Sequence, residues 1–83
     1  MEPKEIEAVK AWVARGVISK RATINRKLTS YMLKHIAERD MGVYISNESL
    51  IQALKELDFR LNKITRSPNY YFNITMNYPR VQH

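Results

Sequence analysis

Tyr70-Tyr71-Phe72-Asn73-Ile74-Thr75-Met76-Asn77 is the stretch on which the fold turns. Tyr70, Phe72, Ile74 and Met76 alternate with Tyr71, Asn73, Thr75 and Asn77. Successive strand residues point to opposite faces, so the run predicts a half-buried strand with one apolar and one polar side. Just upstream, Arg66-Ser67-Pro68-Asn69 is a turn-rich cluster with a basic tip. Before it, Phe59, Leu61 and Ile64 predict a partner strand whose less regular alternation suggests a bulge. The expected product is a C-terminal β-hairpin. Pro79 cannot donate to a strand ladder, so residues 79–83 are expected to form a flexible tail.

Moving towards the amino terminus, the period changes from 2 to 3.6. Leu50, Ile51, Leu54 and Leu57, with Ala53 extending the stripe, follow the spacing of one helix face, while Glu48, Gln52, Lys55 and Glu56 are expected to face solvent. Ser46 and Asn47 are both good N-caps for this helix, and Val43, Tyr44 and Ile45 before them form a short β-prone run. Near the start of the chain, Pro3 suits a first helical turn and Glu2, Glu5 and Glu7 favour the positive end of a helix dipole. A helix from about Pro3 to Arg15, capped by Gly16, carries Ile6, Val9 and Val13 on one stripe. Trp12 adjoins that stripe and reads as core rather than as an exposed anchor.

Residues 17–28 are harder, because apolar anchors mix with Lys20, Arg21, Arg26 and Lys27. Ile24, Leu28, Met32 and Ile36 recur every four residues and permit one long helix, whereas Thr29 and Ser30 look like a cap that starts a new one. The second reading is favoured, with a helix from about Ser30 to Asp40 closed by Gly42 and burying Met32, Leu33, Ile36 and Ala37. The conformation of residues 17–29 stays open on pattern alone. His35, beside Lys34 and near Glu38, has no nucleophile or ligand set around it in the sequence and reads as a polar residue on a helix border. Together these segments predict an α+β domain spanning residues 1–83, a three-helix core with a C-terminal β-hairpin, winged-helix-like in outline.

Composition narrows the class. The 83 residues hold no cysteine, so neither a disulfide framework nor a thiolate zinc site supports the fold. Charges interrupt every apolar run long before the roughly 20 residues a bilayer crossing needs. The opening Met-Glu-Pro-Lys-Glu is acidic where a secretory signal is basic, and a cytoplasmic protein is expected. No glycine-rich phosphate loop, metal-ligand cluster or nucleophile motif is present, so the sequence predicts neither an enzyme nor a cofactor or metal site.

Fourteen Lys+Arg oppose 8 Asp+Glu, a formal charge of +6, and the charge is segregated. Between Glu7 and Glu38 stand Lys10, Arg15, Lys20, Arg21, Arg26, Lys27 and Lys34 with no acid among them, and after Asp58 come Arg60, Lys63, Arg66 and Arg80, again without one. Two basic segments that converge would meet several phosphates. Nucleic acid is therefore the first expected partner, with Lys20, Arg21, Arg26 and Lys27 on the backbone, joined by Arg60, Lys63 and Arg66 from the hairpin. In a winged helix-turn-helix one helix enters the major groove and the hairpin touches the backbone. Here the third helix offers Asn47, Ser49 and Gln52, with Lys55, as base readers, although Glu48 and Glu56 on the same helix repel phosphate.

Two other readings compete. A protein-interaction module or homodimer would use Tyr71 and Tyr78, or Trp12 and Tyr31, as anchors. A single-strand binder would stack bases on Tyr71 beside Arg60 or Lys63.

The run from Thr29 to Glu38, then Tyr44-Ile45-Ser46-Asn47, Leu50-Ile51-Gln52-Ala53-Leu54 and Asn69-Tyr70-Tyr71-Phe72-Asn73, resembles a pattern in small uncharacterised proteins of phages and integrated mobile elements, over about residues 29–74. The resemblance carries over no catalytic or binding residue. It implies a bacterial or phage cytoplasmic setting, in which small basic proteins act on nucleic acid or on host and phage proteins. Asp58 departs from the simpler pattern, in which a glycine before the aromatic residue ends the helix.

Overall fold

Pro3 opens the first helix, α1 (Pro3–Ala14), at the position where a helix leaves its N–H groups unpaired anyway, and Glu5 sits in the positive first turn. The computed structural model describes residues 2–77. Val9 and Trp12 of α1 are fully buried, and the Trp12 indole Nε1 donates to Asp40 Oδ2 at 2.9 Å, which pins α1 to the helix that carries Asp40. The glycine at 16 takes a φ of 83° and redirects the chain.

Residues 17–29, whose conformation the pattern leaves open, run as β1 (Ile18–Thr29), so a strand separates the first two helices and the sheet has a third strand beyond the expected hairpin. Thr29 does start a new helix: its side chain accepts the Met32 N–H at 3.2 Å and begins α2 (Ser30–Met41). Gly42 closes α2 with a φ of 70° and an N–H to the Glu38 carbonyl. The buried residues of α2 are Ser30, Leu33, Lys34 and Ala37; of the expected Met32, Leu33, Ile36 and Ala37, Ile36 is partly buried against the core and Met32 lies outside it. The difference follows from the two polar residues, for which the fold supplies partners. Ser30 Oγ accepts the Tyr70 N–H, and Lys34 is covered by Tyr31, Tyr44 and the Glu38 carboxylate. Met32 is left 45% exposed.

Val43–Ile45 is a linking turn rather than a strand, and its Ile45 is buried. Glu38 of α2 accepts the Ile45 N–H at 3.0 Å and Glu5 of α1 accepts the Ser46 N–H at 2.9 Å, so carboxylates from two helices fix the turn. Ser46 then caps α3 (Asn47–Glu56) by accepting the Ser49 N–H. Leu50, Ala53 and Leu54 are buried, with Ile51 and Leu57 partly so. The helix ends with Asp58 N–H on the Lys55 carbonyl and Phe59 N–H on the Leu54 carbonyl, with Asp58 at a φ of 66°. These are the two bonds of a Schellman motif, with a non-glycine residue in the left-handed position. Phe59 is thereby drawn into the core instead of opening a strand.

The partner strand is short, β2 (Leu61–Lys63), and pairs antiparallel with β3 (Tyr70–Met76). β3 also pairs antiparallel with β1, so the sheet order is β1-β3-β2 and the last strand lies in the middle. The irregularity expected in the hairpin falls on β1. Lys20 pairs with Ile74, Asn25 with Phe72 and Thr29 with Tyr71, so β1 bulges out twice against a regular β3. One apolar core joins Val9, Trp12, Leu33, Ala37, Leu50 and Leu54 of the helices to Ile18, Phe72 and Ile74 of the sheet. The expected tail at residues 79–83, and Tyr78, lie outside the described residues.

Candidate nucleic-acid interface

The two excursions of β1 are built by side chains that seize backbone. In the first, over residues 21–24, Arg21 Nε donates to the Thr23 carbonyl at 3.0 Å and Arg21 Nη2 to the Ile24 carbonyl at 3.3 Å. Asn25 returns the chain to the sheet through Nδ2 on the Ile74 carbonyl. Its Oδ1 accepts the Lys27 N–H at 2.9 Å, a local turn that starts the second excursion. Arg21, Arg26 and Lys27 are exposed on these protrusions.

The hairpin closes on the same place. Arg60 Nη2 donates to the Ala22 carbonyl, and Lys20 Nζ stands 5.5 Å from the centre of the Phe59 ring beside it. Asn73 couples both sides, taking the Arg60 N–H on Oδ1 at 2.7 Å and donating Nδ2 to the Arg21 carbonyl at 3.0 Å. Alternation places Tyr71 on the sheet face of Asn73, and Arg26 lies over its ring at 5.7 Å. Lys63 is turned toward the hairpin tip, where Nζ donates to the Ser67 carbonyl at 3.1 Å, and Arg66 occupies the tip at a φ of 63°. The structure therefore brings Lys20, Arg21, Arg26 and Arg60 onto adjoining parts of the sheet. Lys63 and Arg66 form an extension along the hairpin.

Electrostatically the two layers differ. Every acid among the described residues belongs to a helix or its flanks. Most are engaged there: Glu7 and Glu56 with Lys10, Glu38 with Lys34 and His35, Asp40 with Arg39 and Trp12, Glu5 with Ser46 and Ser49. The Lys10 hydrogen bond, helped by Gln52, holds the Glu56 carboxyl below its ordinary range. The sheet bases meet carbonyls and aromatic rings instead, and among the described residues no carboxylate forms an ion pair with any of them. A carbonyl dipole or a ring fixes a cation in place without cancelling its charge.

The expected reading helix is less available. Ser49 is wholly buried, its hydroxyl donating to Glu5 and accepting from Ser46, so its assignment as a base reader is corrected. Asn47 Nδ2 donates to the Pro68 carbonyl at 3.4 Å and to Asn69 Oδ1 at 3.0 Å, tying the hairpin tip to the start of α3. Gln52 Nε2 donates to Glu56 at 2.8 Å. Asn47, Glu48, Ile51 and Gln52 line, with Pro68 and Tyr70, an open groove of about 410 Å³ between α3 and the hairpin. Among the described residues its only charged wall residue is the acid Glu48.

Asn73 is the residue that pattern reading misses. The alternation places it on the polar face, yet it is 5% exposed and organises both arginines. Among the described residues no group of three His, Cys, Asp or Glu side chains is placed to hold a metal ion, and no helix is long and apolar enough to cross a membrane. Compared with protein-family models, curated proteins and solved structures, the chain matches none.

Proposed function

We propose that the chain is a non-enzymatic nucleic-acid-binding module of winged-helix type that grips the phosphate backbone with its sheet and hairpin more than with its third helix. The observation that carries this reading is the Arg60 contact with the Ala22 carbonyl, which joins the two acid-free basic segments into one surface. Two helices linked by a short turn, with a hairpin tied to the start of the second through Asn47, agree with the winged helix-turn-helix arrangement. The engaged state of Asn47, Ser49 and Gln52 favours contacts to backbone over base edges, hence weak sequence discrimination. A cytoplasmic, phage or mobile-element setting fits such an accessory protein.

Anisotropy titrations with labelled duplex and single strands over a salt series test the reading. About five phosphate contacts give a slope near −4.5 for log K against log salt on duplex DNA. Absence of binding to either probe at about 50 mM salt, where electrostatic attraction is strong, removes the proposal.

One observation favours a second reading. Tyr31, Met32, Val43 and Tyr44 are exposed on α2 and the following turn, Tyr44 by 68%, and the rings of Tyr31 and Tyr44 flank the Lys34 ammonium. That face suits a protein partner. A sedimentation series decides whether the chain self-associates there, since Tyr44→Ser then yields monomer and otherwise changes nothing.

A further inference from the structure

We propose that the 21–24 excursion of β1 is a built phosphate site, in which the guanidinium groups of Arg21 and Arg60 together clasp one phosphate oxyanion. The inference rests on the nucleic-acid reading above for its natural ligand, a backbone phosphodiester.

The excursion is held to an unusual degree for an exposed segment. All four of its carbonyls are taken by side chains: Arg21 by Asn73 Nδ2, Ala22 by Arg60 Nη2, and Thr23 and Ile24 by the Arg21 guanidinium. Ala22 and Thr23 are exposed, so water would satisfy their carbonyls at no conformational cost. Two arginines have instead been immobilised on the carbonyls of successive residues, each giving up side-chain entropy.

The arrangement makes chemical sense if the guanidinia are being held for a third party. A guanidinium carries five N–H donors in a rigid fork. Arg21 spends donors on two carbonyls and Arg60 on one, so each guanidinium has N–H groups beyond those that anchor it. Among the described residues neither side chain pairs with a carboxylate, and both originate from backbone that Asn73 holds in register. A tetrahedral oxyanion placed between two such forks accepts charge-assisted hydrogen bonds from both. Lysine supplies the charge but not the fork, which separates this site from a diffuse basic surface.

The test uses the full chain and two charge-conserving variants, Arg21→Lys and Arg60→Lys, each checked for native fold by its amide spectrum. Duplex DNA and inorganic phosphate are the probes. Duplex affinity is expected to fall about tenfold in each variant, more than a preserved charge on an undifferentiated surface permits. In the wild type, the Nε–Hε signals of Arg21 and Arg60 shift on addition of inorganic phosphate. Lysine variants that bind duplex as tightly as the wild type, with arginine signals unmoved by phosphate, overturn the site. Arginine shifts with inorganic phosphate but no duplex binding by the wild type keep the site as one for free phosphate and discard the nucleic-acid function. Duplex binding that is indifferent to both variants keeps the function and discards the site.

Discussion

Asn73 and Arg60 are joined twice: the Arg60 N–H donates to Asn73 Oδ1 at 2.7 Å, and the Asn73 N–H donates to the Arg60 carbonyl at 3.1 Å. The first of these bonds and the Asn73 link to the Arg21 carbonyl depend on the side-chain amide. Asn73→Ala strands a backbone donor and a backbone acceptor beneath the β1 excursion. The expected cost is about 2–3 kcal/mol. For a domain of this size that lowers Tm by roughly 8–20 °C, measurable by thermal circular dichroism. A loss too small to detect would show that solvent reaches both groups.

Two of the left-handed positions that end helices, Gly42 and Asp58, give opposite expectations. At Gly42 an added Cβ meets nothing within 4 Å, so Gly42→Ala costs only the conformational penalty of a φ of 70°, about 1 kcal/mol. At Asp58 the penalty is already present, and Asp58→Gly is expected to stabilise the fold by about 0.5–1 kcal/mol. Urea titration of the pair reads both signs in one experiment.

Much of this was legible in the residues. The strand at 70–76 and the third helix follow from periodicity, and Thr29 as a cap follows from residue type. The strand at 18–29 does not, because its alternation is broken by two excursions, and the first is held by Arg60 and Asn73, about 40–50 residues away. Such long-range bonds override local propensity. Ser49 shows the same effect in a helix. Its type and position suit a surface reader, but Glu5 arrives from α1 and the pair is buried. The basic segments were visible as charge runs, whereas their junction at Ala22 required the fold.

Acid should weaken the helical layer before the sheet. The Ser46 N–H holds the Glu5 carboxyl below its ordinary value against the opposing effect of burial, with Ser49 adding to the Ser46 bond. At Glu38 burial pushes upward, but the Ile45 N–H and Lys34 outweigh it and the net direction is again downward. A carboxyl depressed in the folded state contributes stability that is complete above its unfolded value and is lost as pH falls through the folded one. Stability is therefore expected to be flat above the ordinary value of 4.5 and to decline below it on account of these groups. Glu5→Gln should lower stability at neutral pH and flatten the acid limb of a Tm-against-pH series.

Trp12 and Asp40 supply a packing test. Trp12→Phe removes the donor to a largely buried carboxylate and part of a filled volume, at an expected cost of about 1–3 kcal/mol. A double-mutant cycle with Asp40→Asn isolates the hydrogen bond, and its coupling is expected to exceed about 0.5 kcal/mol.

For binding, the bases and the third helix should part company. Lys27→Ala is expected to reduce the salt slope on duplex DNA by about 0.9 without altering sequence preference. Gln52→Ala, by contrast, should change duplex affinity by less than about twofold, because its amide is committed to Glu56 and gives little base-edge discrimination to lose. Gln52→Ala that relaxes preference at a defined base pair would return the reading role to α3.

The position of β3 between β1 and β2 also constrains the order in which the chain can become a protein during synthesis. Ile18 meets Met76 and Leu61 meets Phe72, so both outer strands wait for residues 70–76. A ribosome that has released α1, β1, α2 and α3 holds a helical layer with half its core uncovered, and the exposed edge of β1 has no partner. The segments before β3 must therefore wait unsealed, and the domain gains its native shape in one late event when the central strand emerges.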